Sequence, residues 1–237
     1  MSIINKFRKI FIKRKFDRIV SLGFNCEVAF QFLKFYDFVE ANLFTWTFVY
    51  ETKDLLNALL HLDAFAVDFE PANAYMWKSK SFDISFHGRS ELIPTDEEIR
   101  NAEKEELISR AAHLKNKFKA LSEERGKILF VYKVPLSDLE HVQDTVDTLG
   151  QIVESLRTLG IAQFKVLVIV TTGYYTKYKA AVQKSNESDS LFIEHIEFHA
   201  PISTVTTGPY DLNGWRSIWA KYVPSKRLKR GRYKFDM

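Results

Sequence analysis

The order of apolar segments predicts an α/β protein, a single three-layer domain with a mainly parallel sheet and helices on both faces. Two observations carry this. From Lys127 onward, strand-like and helix-like segments alternate three times, the pattern of right-handed βα crossovers. Phe164–Val170 is a continuous, largely β-branched run, of the kind buried on both faces of a parallel sheet.

The first strand is Arg18–Leu22, ended by Gly23, with a helix over Glu27–Tyr36 after it. Thr52–Leu62 reads as a second helix with Leu55, Leu56, Leu59 and Leu60 inward. Phe82, Ile84 and Phe86 alternate with polar residues, as in a half-buried strand. Thr95 and Glu98 form a capping-box pattern opening a long helix that Gly126 stops. Ile128–Tyr132 is an apolar strand, and Ser137 with Glu140 suggests a second capping box on a helix ending near Gly160. After Phe164–Val170 come a helix over Tyr174–Gln183, a polar loop, a strand over Leu191–Phe198 and a last helix over Asn213–Tyr222. No internal repeat and no Gly-, Ser- or Pro-rich linker divides the body.

The chain has 237 residues, 46% of them apolar, with 20 Phe, which excludes a disordered protein. A single Cys excludes a disulfide scaffold and a multi-Cys zinc site, and favours a reducing compartment. The net charge of +4 conceals an asymmetry: residues 1–16 carry six Lys/Arg and no acid, and 221–237 carry seven and one Asp. The body, 17–220, is left with 21 basic and 29 acidic residues, a net of −8. The expected organisation is a basic amphipathic arm (1–16), the α/β domain (17–222) and a basic tail (223–237). In the arm, Ile3, Ile4, Phe7, Ile10 and Phe11 share one helical face flanked by Lys and Arg, the pattern of an interfacial membrane helix; a solvated arm packed on the domain is the alternative. Residues 226–234 add a second polybasic run, so an anionic membrane surface is a candidate partner and nucleic acid a less favoured one. No apolar stretch approaches the roughly 18 residues of a bilayer span, and no secretory h-region is present. The expected setting is cytoplasmic, with peripheral contact at the inner membrane face left open.

The most informative stretch is Ser21-Leu22-Gly23-Phe24-Asn25-Cys26-Glu27. A strand ends, glycine permits a sharp turn, and Asn25 is placed to cap a helix whose first turn holds Cys26. A helix dipole lowers a thiol pKa there, backbone N–H groups hold an oxyanion, and the crevice beyond a parallel strand binds ligands. A buried structural cysteine is the competing reading. A cysteine nucleophile needs a histidine base. His61, His113 and His141 fall on predicted helices, and His195 alternates with Glu194 on a strand, where it can face solvent. His87 and His199 end strands, where a crevice forms, and spacing does not separate them. In Gly208–Trp215, Asp211 or Asn213 serves as a helix cap or orients the histidine. His195 and His199 would sit ~13 Å apart on a strand, too far for one metal. No Walker loop or GxGxxG is present, and neither metal nor cofactor is expected.

Residues 21–31 (SLGFNCEVAFQ), Asn42-Leu43-Phe44-Thr45-Trp46, Phe86-His87-Gly88-Arg89 and Lys127–Lys133 resemble four successive blocks of a bacterial family of papain-like cysteine peptidases. The resemblance implies Cys26 as nucleophile, His87 as its base and Asp211 as the acid that orients it. Ser21, Gly23, Asn25, Trp46, Arg89, Asn213 and Trp215 complete the candidate substrate and oxyanion site. Two departures stand out: Thr45 occupies a place where the family usually has Asp, and a papain fold has no parallel sheet of alternating βα units. The strand–turn–helix around Cys26 also resembles the entry of capsule-polysaccharide biosynthesis proteins related to a coenzyme A-binding acetyltransferase, and of the flat-sheet esterases. The expected function is therefore a cysteine-nucleophile hydrolase or acyltransferase acting on a small-molecule, glycan or peptide substrate. The alternative is a non-catalytic glycan- or cofactor-binding protein of polysaccharide biosynthesis.

Overall fold

The computed structural model describes residues 16–35, 41–200 and 209–222; the amphipathic arm and the polybasic run beyond Tyr222 lie outside them. The chain is α/β. Four strands, β1 (Arg18–Ser21), β6 (Ile128–Lys133), β7 (Phe164–Thr171) and β8 (Leu191–Ile196), form a parallel sheet in the order β1-β6-β7-β8. Between β1 and β6 the chain inserts α1 (Glu27–Phe35), β2 (Thr47–Val49), α2 (Thr52–Leu60), β3 (Phe69–Pro71), β4 (Met76–Ser79), β5 (Ile84–His87) and α3 (Glu97–Lys119). Helices α4 (Val142–Thr158), α5 (Thr172–Lys184) and α6 (Leu212–Tyr222) complete it.

Both faces of the parallel sheet are covered along its central strands β6 and β7, which is why these read as apolar runs. Val20, Phe130, Val168 and Val170 face a core shared with α2 to α5, while Leu129, Val131, Leu167 and Ile169 face Val28 and Phe32 of α1 and Trp215 and Trp219 of α6. Helices therefore lie on both sides, giving three layers.

The half-buried strand at Phe82–Phe86 belongs to a second sheet, antiparallel, in the order β2-β5-β4-β3, of which the sequence reading supplied only β5. Its strands are three or four residues long, too short to show a periodicity. Two expected helix starts are corrected. Asp96, not Thr95, caps α3, its carboxylate accepting from Ile99 N at 3.0 Å. Ser137 does not cap α4: residues Leu136–Asp138 form a 3-10 turn and its hydroxyl donates to the Tyr50 carbonyl. The capping box is on α2 instead, between Glu51 and Asp54. Among the described residues, no helix is long and apolar enough to cross a membrane.

Candidate active site

The site forms where the carboxyl end of β1 meets the antiparallel sheet. Gly23 and Phe24 both adopt positive φ, +90° and +84°. For glycine this is costless; for Phe24 it is strained by roughly 1–3 kcal/mol. Neighbouring strands hold the turn. Val49 N donates to the Phe24 carbonyl at 2.9 Å, and Ser21 Oγ accepts from Gly23 N at 3.1 Å. A Cβ on Gly23 would lie 2.9 Å from Thr47 Oγ1, so the turn and β2 fit only without a side chain there.

The helix begins at Glu27, where the apolar pattern placed it, one residue beyond the start that capping by Asn25 implied. The Cys26 carbonyl accepts from Phe30 N, and Asn25 Oδ1 accepts from Glu27 N at 3.0 Å. Asn25 thus makes the capping side-chain bond expected of it, and Cys26 sits at the entry to the first turn. The second group arrives through strand pairing. Thr47 is opposite Phe86 in the β2–β5 register, and one further step sets Trp46 opposite His87. Cys26, Trp46 and His87 consequently line one cavity of about 500 Å³. Phe30, Leu43, Phe86 and Leu114 give it apolar walls, and Arg110 of α3 adds a cation. The Trp46 ring meets Phe30 edge-on at 5.5 Å. Of the two strand-end histidines that spacing left unseparated, His87 shares the cavity with the thiol.

The electrostatics differ from the sequence expectation. Cys26 is 5% exposed, and burial pushes its thiol up to about 12 instead of down. His87 keeps contact with solvent, yet desolvation of its ring and the neighbouring Arg110 charge lower its pKa. Near neutral pH both groups are uncharged. Arg110 Nη2 also donates to the His87 backbone carbonyl, tying α3 to the end of β5.

His199 occupies a different environment. It is buried beside Phe24, neither ring nitrogen has a hydrogen-bond partner among the described residues, and burial with the Lys133 charge nearby lowers its pKa to about 2. Next to it lies a buried ion pair that the sequence reading missed. Lys133 Nζ donates to Glu27, which also accepts from Trp215 Nε1 at 2.9 Å and Ala200 N at 3.2 Å. The ammonium stands 4.7 Å from the centre of the Phe24 ring. This cluster pins the start of α1 to β6 and α6.

The remaining candidates are dispersed. Asp211 does not line the cavity: its carboxylate accepts from Gly214 N at 2.9 Å and Glu197 N at 2.7 Å, capping α6 and tying it to the end of β8. Asn213 is exposed, and Trp215 is spent on Glu27. Arg89 points outward, 3.5 Å from Glu106. Its backbone is nonetheless part of the architecture, because buried Glu103 accepts from Arg89 N and Ser90 N, and a Cβ on Gly88 would collide with that carboxylate at 1.9 Å. Thr45 Oγ1 accepts from Asn42 N at 2.8 Å, a turn bond that an aspartate at this position is equally able to accept. Arg110 carried no signal in the sequence, since it is one of several cations on a long, charged helix. A larger cleft of about 730 Å³ lies between α2, α4 and α5, but it contains neither Cys nor His.

Comparison with known proteins finds no matching family model, no matching curated protein and no matching solved structure.

Proposed function

We propose that the chain is a cysteine-dependent hydrolase or acyltransferase, with Cys26 as nucleophile and His87 as general base. The observation that carries this reading is that a lone thiol from one sheet and a histidine from the other line the same cavity. Because burial keeps the thiol protonated and the imidazole neutral, the pair is not a preformed thiolate–imidazolium. The proton passes from Cys26 to His87 as the sulfur–carbon bond forms and the carbonyl electrons move to oxygen. The amino-terminal end of α1 faces that developing charge with its dipole and backbone N–H groups. Collapse of the adduct expels the leaving group, which takes the proton from His87 and leaves a Cys26 thioester. Water then releases an acid, or an acceptor hydroxyl or amine receives the acyl group, so peptide, ester and glycan chemistry all fit. Arg110 donates to the His87 backbone carbonyl and holds the end of β5, and with it the base, at the cavity wall. The reading carries a cytoplasmic setting, where a single thiol stays reduced.

The test is intact-mass analysis after incubation with activated esters and thioesters. A single acyl adduct is expected, located at Cys26, absent from Cys26→Ala and slow to form in His87→Ala. A thiol that reacts only after unfolding would overturn the proposal. The raised thiol pKa favours a second reading, in which Cys26 only packs and the cavity binds a glycan or cofactor. That reading predicts unchanged ligand binding in Cys26→Ser and no adduct with any ester.

The two basic segments support a further element. The rings of Phe16 and Tyr222, the described residues next to them in the chain, are 6.5 Å apart, and residues 1–15 and 223–237 carry six Lys/Arg each. Anionic membrane lipid is the partner that such a paired charge suits, at about 1 kcal/mol for each cation near the surface.

A further inference from the structure

We infer that the Cys26 cavity accepts an amphiphilic anion: a compound whose carbonyl end meets Cys26, whose apolar body lies among Phe30, Leu43 and Trp46, and whose carboxylate or phosphate is held by Arg110. The inference rests on the cysteine-dependent reading for the reaction, but not for the binding.

Three features of the cavity carry it. Its volume, about 500 Å³, is within the roughly 300–1,000 Å³ of small-molecule sites, which excludes a folded protein or long glycan as the buried part of the ligand. Its walls are mainly aromatic and aliphatic, with Asn42 and Thr47 the neutral polar exceptions, so an apolar body gains from entering. Its polarity is one-sided. Cys26 is buried and uncharged and His87 is neutral, while Arg110, exposed at the rim, is the one formally charged side chain lining the cavity among the described residues. A guanidinium carries five N–H donors, and the bond to the His87 carbonyl uses one, leaving a fork able to take an anion in two parallel hydrogen bonds. A neutral ligand of the same shape forgoes that contact. The depth order follows from the exposures: the reacting carbonyl goes to the buried thiol and the anion stays at the wet rim.

Calorimetry with decanoate and its neutral isostere decanamide tests this on the full chain without requiring turnover. Decanoate is expected to bind about tenfold or more tightly than decanamide, the size of one good charge-assisted interaction. Cys26→Ala is expected to retain this preference, Arg110→Gln to abolish it, and Arg110→Lys to keep part of it, which separates lost charge from lost folding. Equal affinity for the two probes, no binding of either by the wild type, or a preference that survives Arg110→Gln would each overturn the inference. Acyl-adduct formation at Cys26 is read separately by mass, so the reaction can fail while the binding preference stands, and the reverse.

Discussion

Substituting Glu27 by Gln tests how the start of α1 is held. The carboxylate is fully buried, and it accepts from Lys133 Nζ, Trp215 Nε1 and Ala200 N. The amide keeps the volume but removes the charge and turns one oxygen into a donor. Lys133 is also fully buried, and burial already lowers its pKa; Glu27 is what keeps its charge favourable. Breaking one side of such a pair costs about 3–5 kcal/mol, because the remaining charge is left in a dry interior. Against a total stability of about 5–15 kcal/mol this is a large fraction, and for a domain of this size it lowers Tm by roughly 6–20 °C. Urea unfolding at neutral pH, followed by tryptophan fluorescence, measures it. Trp215 donates directly to Glu27, so the probe reports from the site of the change. The double variant Glu27→Gln, Lys133→Met should recover much of the loss, since no buried charge remains. A single-variant cost below about 1 kcal/mol, or a double variant no more stable than the single, would refute the reasoning that the pair is dry and mutually dependent.

Other outcomes follow from the same physics. His199 has a folded pKa of about 2 against an ordinary 6.5, so its neutral form is the stable one in the fold: the stability it contributes is present above pH 6.5 and is lost as pH falls toward 2, at about 1.4 kcal/mol per pH unit. His199→Phe should flatten the acid limb of a stability–pH curve, and an unchanged limb would show that the ring is hydrated. Cys26 has a folded pKa raised from 9.0 to about 12, so stability is intact below pH 9 and falls above it by about 2 kcal/mol at pH 10.5; Cys26→Ala should remove this part of the alkaline loss. Gly23→Ala places a Cβ 2.9 Å from Thr47 Oγ1 at φ +90°, and chemical denaturation should show a loss of more than about 1 kcal/mol. The full chain should cosediment with phosphatidylserine–phosphatidylcholine vesicles but not with phosphatidylcholine alone, and removing residues 1–15 should weaken this markedly; equal sedimentation of both forms would dismiss the membrane partner.

The parallel sheet was legible because its physics is local: a strand buried on both faces has to be apolar at every position, as in Phe130–Tyr132 and Val166–Val170. The antiparallel sheet was not. Phe69–Pro71 and Met76–Ser79 contain Pro, Glu and Lys, and only pairing, of β3 with β4 and of β4 with β5, makes them strands. The turn around Cys26 was legible down to the glycine, whose φ of +90° its residue type allows. The thiol's ionisation was not, because a helix dipole is readable from sequence, whereas desolvation depends on what covers the sulfur. Asp211 had two roles open in the sequence, helix cap or catalytic acid, and the structure uses one oxygen for the cap at Gly214 N and the other for Glu197 N at the end of β8. Glu27–Lys133 lay out of reach since its partners are separated by 106 positions and Lys133 reads as the solvent-facing end of a strand.

The cavity exists only because two sheets of different kinds meet. The parallel sheet supplies a strand end and a helix start, which place one thiol, and the antiparallel insertion supplies the histidine, the tryptophan and most of the apolar wall. Closing that wall over Cys26 dries the sulfur and takes away the low thiol pKa that the helix start alone would give. The same closure makes a neutral imidazole the stable form of His87, so both partners begin uncharged and the barrier to their reaction is set by charge created during the reaction. An environment of this kind rewards a ligand that brings its own anion to Arg110, because α3 then holds a neutralised guanidinium beside the His87 strand end and the field that suppresses imidazolium is weakened. Bound anion should therefore raise the His87 pKa, visible as a shift of its ring proton titration by NMR upon addition of decanoate. A titration that does not move would mean that Arg110 acts on His87 only through the backbone bond and that ligand charge and base strength are independent.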